Sequence, residues 1–232
     1  MFTLDQVVPW GRSFDEYRRM FGLTDADLAL NIVGCGDGPA AFNAEATAHG
    51  TRVVSCDPIY RWGTAQLQER IAATCETILT QTRENSEEFV WGDEIRSVEE
   101  LGQIRMQAMR VFLQDFEAGK AAGRYVEAEL PTLPFPDGAF DLALCSHFLF
   151  LYTSQLGEAF HLAAIREMCR VAAQVRIFPL LALGGQRSPH VEASVSALRG
   201  AGFAVAIEQV SYEFQRGGNQ MLRIRRAELA DG

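Results

Sequence analysis

Residues 28–58 read LALNIVGCGDGPAAFNAEATAHGTRVVSCDP. The apolar run at 28–34 is too short for a helix and reads as a buried strand. It ends in the turn Gly34-Cys35-Gly36-Asp37-Gly38, after which Pro39 falls at a favoured first-turn position of a helix closing at Gly50. The run TRVVSCDP is a second strand that stops at Asp57-Pro58. Strand, glycine turn, helix and strand form one parallel unit, and ligands of such sheets bind beyond the carboxyl ends of the strands. There a glycine turn lets a cofactor approach the backbone, and a helix start offers free N–H groups. Asp57, about twenty residues beyond the turn, is placed to accept hydrogen bonds from both hydroxyls of a ribose.

Outward from this unit the pattern continues. Upstream, residues 13–27 suit a helix capped by Ser13, with Phe14, Tyr17, Met20 and Phe21 on one stripe. Downstream, more than sixty residues precede the next strand, RYVEAEL at 124–130, where a crossover needs only about a dozen. This insertion is helical by pattern: Leu67, Ile71, Cys75, Ile78 and Leu79 share one face, and Leu101, Ile104, Ala108, Val111 and Phe112 another. Ser97 and Glu100 have the spacing of a capping box. Alternation then resumes with FDLALCSHF, a helix near 156–170, AQVRIFPL, a helix opened by Ser188-Pro189, and the strands FAVAIEQV and NQMLRIR. The expectation is a Rossmann-like α/β fold, a mainly parallel doubly wound sheet with an antiparallel edge strand and a helical insertion between the second and third strands. It comprises a single domain over 1–232, with an N-terminal helical segment at 1–28 and the insertion at 60–122. That insertion serves either as a lid over the site or as the interface of a homodimer.

Composition narrows the function. A formal charge of −9 disfavours nucleic acid as a partner, since phosphate backbones are met by basic faces. The first residues, MFTLDQVVPWGRSFDEYRRMF, lack the basic start and apolar core of a signal peptide, and no stretch reaches the ~20 apolar residues of a membrane span. A cytoplasmic protein is expected. The cysteines (Cys35, Cys56, Cys75, Cys145, Cys169) are scattered and never spaced as CxxC, so no metal site is indicated. His49, His161 and His190 fall in or beside helices without ligand spacing and read as surface or capping residues.

The stretches NIVGCGDGP (31–39), VVSCDP (53–58) and LPTLPFPDGAFDLALCSHFLF (130–150) resemble the first, second and fourth motifs of class I S-adenosylmethionine-dependent methyltransferases. The resemblance covers roughly residues 30–60 and 123–225 and implies S-adenosyl-L-methionine as cofactor. It implies that Gly34, Cys35, Gly36 and Gly38 line the methionine and ribose end, with Asp57 on the ribose hydroxyls and Pro58 or Ile59 against adenine. It places Glu129 on the adenine amino group, the Leu130 N–H near a ring nitrogen, and Ser146 near the methionine portion. One position departs: the family's acidic residue two places before the first motif glycine is Ile32 here. Asp37, Tyr17 or another N-terminal residue is then left to meet the amino-acid end.

His147 is the catalytic candidate, because a histidine beside the transfer site can deprotonate an accepting oxygen or nitrogen. A structural hydrogen bond at a strand end is its other reading, and alignment alone can suffice for methyl transfer. Tyr17 and Tyr152 are possible pocket residues or packing residues. The expected activity is methyl transfer to a small-molecule acceptor. Two alternatives remain: a non-catalytic module that binds S-adenosylmethionine or a partner, and a nicotinamide-dependent enzyme, against which Pro39 stands where the dinucleotide fingerprint has a third glycine.

Overall fold

Val33 lies in register with Val54 on one side and Ala143 on the other, so the strand that ends in the glycine turn is central to the sheet. The computed structural model describes residues 1–4 and 6–226. In chain order the elements are α1 (Phe14–Met20), α2 (Asp25–Leu28), β1 (Asn31–Cys35), α3 (Phe42–Ala48), β2 (Arg52–Cys56), α4 (Thr64–Glu84) and α5 (Val98–Ala121). They continue as β3 (Tyr125–Val126), β4 (Phe140–Ser146), α6 (Glu158–Val171), β5 (Ala172–Phe178), α7 (His190–Gly200), β6 (Phe203–Gln209) and β7 (Gln220–Arg226). The strand order is β3-β2-β1-β4-β5-β7-β6. The fold is Rossmann-like and mainly parallel; at one edge β7 runs antiparallel between β5 and the outermost strand β6. Winding reverses between β1 and β4, which opens a crevice at their carboxyl ends.

Alternation along the central strands splits the core between two faces. Val33, Ala143 and Cys145 pack toward α6 and α7, whereas Ile32, Leu142 and Leu144 meet Tyr17, Met20 and Phe42 from α1 and α3. The long connection after β2 is not all excess: α5 packs on α3 and returns to β3, and thus serves as the crossover helix. Its Phe112 and Phe116 cluster with Tyr60 and Tyr125. The extra material is α4, laid against α5, and the loop that joins them. Among the described residues no helix is long and apolar enough to cross a membrane.

Several local expectations shift. The helix expected over 13–27 is two, because Gly22 turns the chain with φ +55°. Ser13 does cap α1: its Oγ accepts from Glu16 N at 3.3 Å, and Glu16 accepts from Ser13 N at 2.9 Å. The described residues before Ser13 form no helix, so helix covers only part of 1–28. Pro39 belongs to the turn rather than to the first turn of α3, which starts at Phe42. At Ser97 only half of the capping box forms, since the Glu100 carboxylate takes Arg96 N at 2.7 Å instead. His161 is fully buried rather than a surface residue. Its Nε2 accepts the Phe150 N–H at 3.1 Å and its Nδ1 meets the Gly157 carbonyl at 2.9 Å, which ties the loop after β4 to α6.

Candidate functional site

Beyond the carboxyl ends of β1, β2 and β4 lies a cavity of about 500 Å³. This is the size range of small-molecule and cofactor sites. Cys35, Gly36, Gly38, Asp57, Pro58, Ile59, Glu129, Leu130, Ser146 and His147 all line it, as does Tyr17. Gly34 does not. It lies beneath the Asp37 side chain, and a Cβ there would stand 1.8 Å from Asp37 Oδ2. Its place in the motif is explained by that close approach rather than by contact with the cavity.

Asp57 caps the turn that follows β2. Its two carboxylate oxygens accept from Gly38 N at 2.8 Å and Ile59 N at 2.9 Å, which locks the side chain across the glycine turn. Each oxygen retains acceptor capacity toward the cavity. Burial, opposed by those N–H groups, and the nearby Glu129 carboxylate push the Asp57 carboxyl up to about 6. Glu129 itself is exposed at the mouth. The Cys35 and Cys56 thiols are pushed up by burial and serve as packing.

Asp37 lies in the glycine turn and lines the cavity. The turn folds its carboxylate back over β1, where it accepts from the Tyr17 hydroxyl at 3.0 Å and from Ser55 Oγ at 2.6 Å. Burial outweighs these two bonds and pushes the carboxyl up to about 7. The site thus holds an acidic group within reach of the cavity, delivered by the turn instead of by the strand.

His147 follows β4 in a left-handed conformation, φ +52°, held by its N–H to the Phe178 carbonyl at 2.7 Å. Burial, together with the charges of Arg12 and Arg105, drives its imidazole well below the usual histidine range, so the ring is neutral. Its Nδ1 lies 2.9 Å from Ser146 Oγ. A serine has one proton to give. Donated to Nδ1, that proton leaves the imidazole N–H on Nε2; turned away, it lets Nδ1–H donate to Ser146 Oγ and leaves a lone pair on Nε2.

Sequence reasoning missed the N-terminal strap and what it covers. Val7 to Trp10 and Arg12 line the same cavity, and Val8 N donates to the Tyr152 hydroxyl at 3.2 Å. Behind them a second, smaller chamber of about 100 Å³ shares Val8, Trp10, Arg12 and His147 with the first. The insertion contributes to its wall through Ile78 and Thr82 of α4 and Leu101 and Arg105 of α5. Arg105 is fully buried and pairs with Glu16, whose carboxylate also accepts from the Tyr212 hydroxyl at 2.9 Å. The only sequence signal for this pair was an arginine inside an otherwise apolar helical stripe.

Fold and crevice define the class, a Rossmann-like α/β protein with its candidate site at the switch point of the sheet. Within that class the chain belongs to the family of the uncharacterized protein MJ0045 of Methanocaldococcus jannaschii, with which it is 31% identical over 225 residues, 97% of this chain and 98% of that protein. No protein-family model matches the chain. Among solved structures it is similar to magnesium protoporphyrin IX methyltransferase from Synechocystis PCC 6803 with bound SAM. The identity is 15%, the coverage 92% of this chain and 91% of that one, and the TM-score 0.45. It is also similar to 1,6-didemethyltoxoflavin-N1-methyltransferase from Burkholderia thailandensis, at 12% identity, 92% and 79% coverage, and a TM-score of 0.46.

Proposed function

We propose that this chain is an S-adenosylmethionine-dependent methyltransferase acting on a small acceptor. The observation that carries this reading is the convergence of the motif residues Cys35, Gly36, Gly38, Asp57 and Ser146 on one cavity, which the turn also lines with Asp37. The donor set suits the cofactor. Asp57 is fixed to accept the ribose hydroxyls, Glu129 stands at the mouth for the adenine amino group, and the buried Asp37 carboxylate calls for a cation such as the amino-acid ammonium.

When bound, S-adenosylmethionine supplies an electrophilic methyl on a sulfonium. The protein's part is alignment and removal of water. The neutral His147 imidazole, in the tautomer that leaves Nε2 unprotonated, can take the proton that an attacking oxygen or nitrogen loses. Negative net charge favours a small molecule over nucleic acid as acceptor.

Calorimetric titration of the purified protein with S-adenosylmethionine, S-adenosylhomocysteine and NAD tests the reading. Binding of the two sulfur compounds without NAD supports it. Binding of NAD alone would transfer the site to nicotinamide chemistry, and binding of none would leave a partner-binding module.

A further inference from the structure

Among the described residues no carboxylate pairs with Arg12. Its Nη1 donates to the Trp10 carbonyl at 2.5 Å, while its Nε is covered and has no partner. Glu16, the acid in its field, is saturated by the Arg105 guanidinium, the Tyr212 hydroxyl, and the N–H and hydroxyl of Ser13 at 2.9 and 3.2 Å. The group Arg12, Glu16 and Arg105 therefore holds one net positive charge.

Its position brings that charge to the boundary of the two chambers. Arg12 lines both chambers, and the groups whose ionisation its field alters are Glu16, Tyr17, His147, Tyr152 and Tyr212. Tyr152 and His147 face the smaller chamber, whose remaining walls are largely apolar, with Phe2, Phe89 and Phe214 among them. A half-buried guanidinium whose Nε is covered, beside an apolar chamber, is stabilised when an anion enters, and its planar fork matches a carboxylate. One net charge also matches one carboxylate, whereas a phosphate dianion would leave the chamber negative.

We propose that Arg12 receives the carboxylate of the methyl acceptor, a small carboxylic acid whose apolar, ring-sized body occupies the second chamber. This rests on the cofactor reading, which assigns the larger cavity to S-adenosylmethionine.

The test is calorimetric titration of S-adenosylhomocysteine-loaded protein with benzoate, phenylacetate and cinnamate, each beside its uncharged amide. At least one acid is expected to bind about tenfold more tightly than its amide, and Arg12→Gln to lose that preference at saturating S-adenosylhomocysteine. Arg12→Lys, which keeps the charge without the fork, is expected to retain part of it. Binding of no acid, equal binding of acids and amides, or an unchanged preference in Arg12→Gln overturns the proposal. So does a tenfold loss of S-adenosylhomocysteine affinity in Arg12→Gln, which would move the guanidinium to the cofactor's own carboxylate. If the wild-type protein fails to bind S-adenosylhomocysteine, the methyltransferase reading falls; the acid–amide comparison on the free protein still decides the charge preference of Arg12.

Discussion

The Tyr17 hydroxyl donates to Asp37 Oδ1 across 3.0 Å, joining the first helix to the turn that closes the central strand. The carboxyl it holds titrates at about 7 because burial opposes its ionisation. A ligand ammonium beside it would favour the carboxylate. S-adenosylhomocysteine is therefore expected to bind more weakly as pH falls through about 7, with Asp37→Asn weak and nearly flat over the same range. Calorimetry across that range decides: an identical pH slope in both proteins removes Asp37 from the ammonium site.

The same carboxyl links ligand-free stability to pH. Its folded value of about 7 lies above the ordinary 3.8, as does the value of about 6 for Asp57. Each group's contribution is fully present below the ordinary value and is lost as pH rises through the folded one. Glu16 acts oppositely: held at about 2 against 4.5 by Arg105 and Arg12, it stabilises above 4.5, and that stabilisation fades as pH falls toward 2. The ligand-free protein should therefore lose stability between about pH 4 and pH 7, and Asp37→Asn should gain about 1–3 kcal/mol over wild type at the upper end of that range only. Urea melts at both ends of the range measure this, and an equal gain at both would sink the linkage.

Arg105 and Glu16 make a buried pair whose separate halves cannot stand alone. Arg105 is wholly covered, and its removal leaves the Glu16 carboxylate without its cation while Tyr212 still points at it. Arg105→Met is expected to cost about 3–5 kcal/mol, and Arg105→Met with Glu16→Gln to recover much of that. Chemical denaturation of the two variants gives the comparison; additive losses would deny the coupling.

What the sequence disclosed and what it withheld divide along sequence distance. Gly36, Asp57, Ser146 and His147 were legible because each sits at the carboxyl end of a strand, where strand position alone predicts the crevice. The break at Gly22 stayed hidden, since the apolar stripe from Phe14 to Phe21 runs through the last residue before it. Arg105 passed as one polar position of an amphipathic helix, and its partners Glu16 and Tyr212 stand 89 and 107 residues away. Arg12 lies in a stretch with neither helical nor strand period, so no pattern announced that it would face a cavity. The acid missing at Ile32 was visible as a gap, whereas the fold of the turn that brings the Asp37 side chain back over Gly34 was not.

His147 supplies the last expectation, which concerns where its proton sits. The Ser146 hydroxyl lies 2.9 Å from His147 Nδ1. A general base that acts through Nε2 requires the imidazole proton on Nδ1, donated to Ser146 Oγ. Nitrogen-15 spectra of the labelled protein are expected to show a neutral ring with Nε2 unprotonated at pH about 6, below which an ordinary histidine is mostly charged. In Ser146→Ala the Nδ1–H loses its acceptor, so the Nε2–H tautomer should gain population. A wild-type ring that is already protonated on Nε2 would remove the case for His147 as a base acting through that nitrogen.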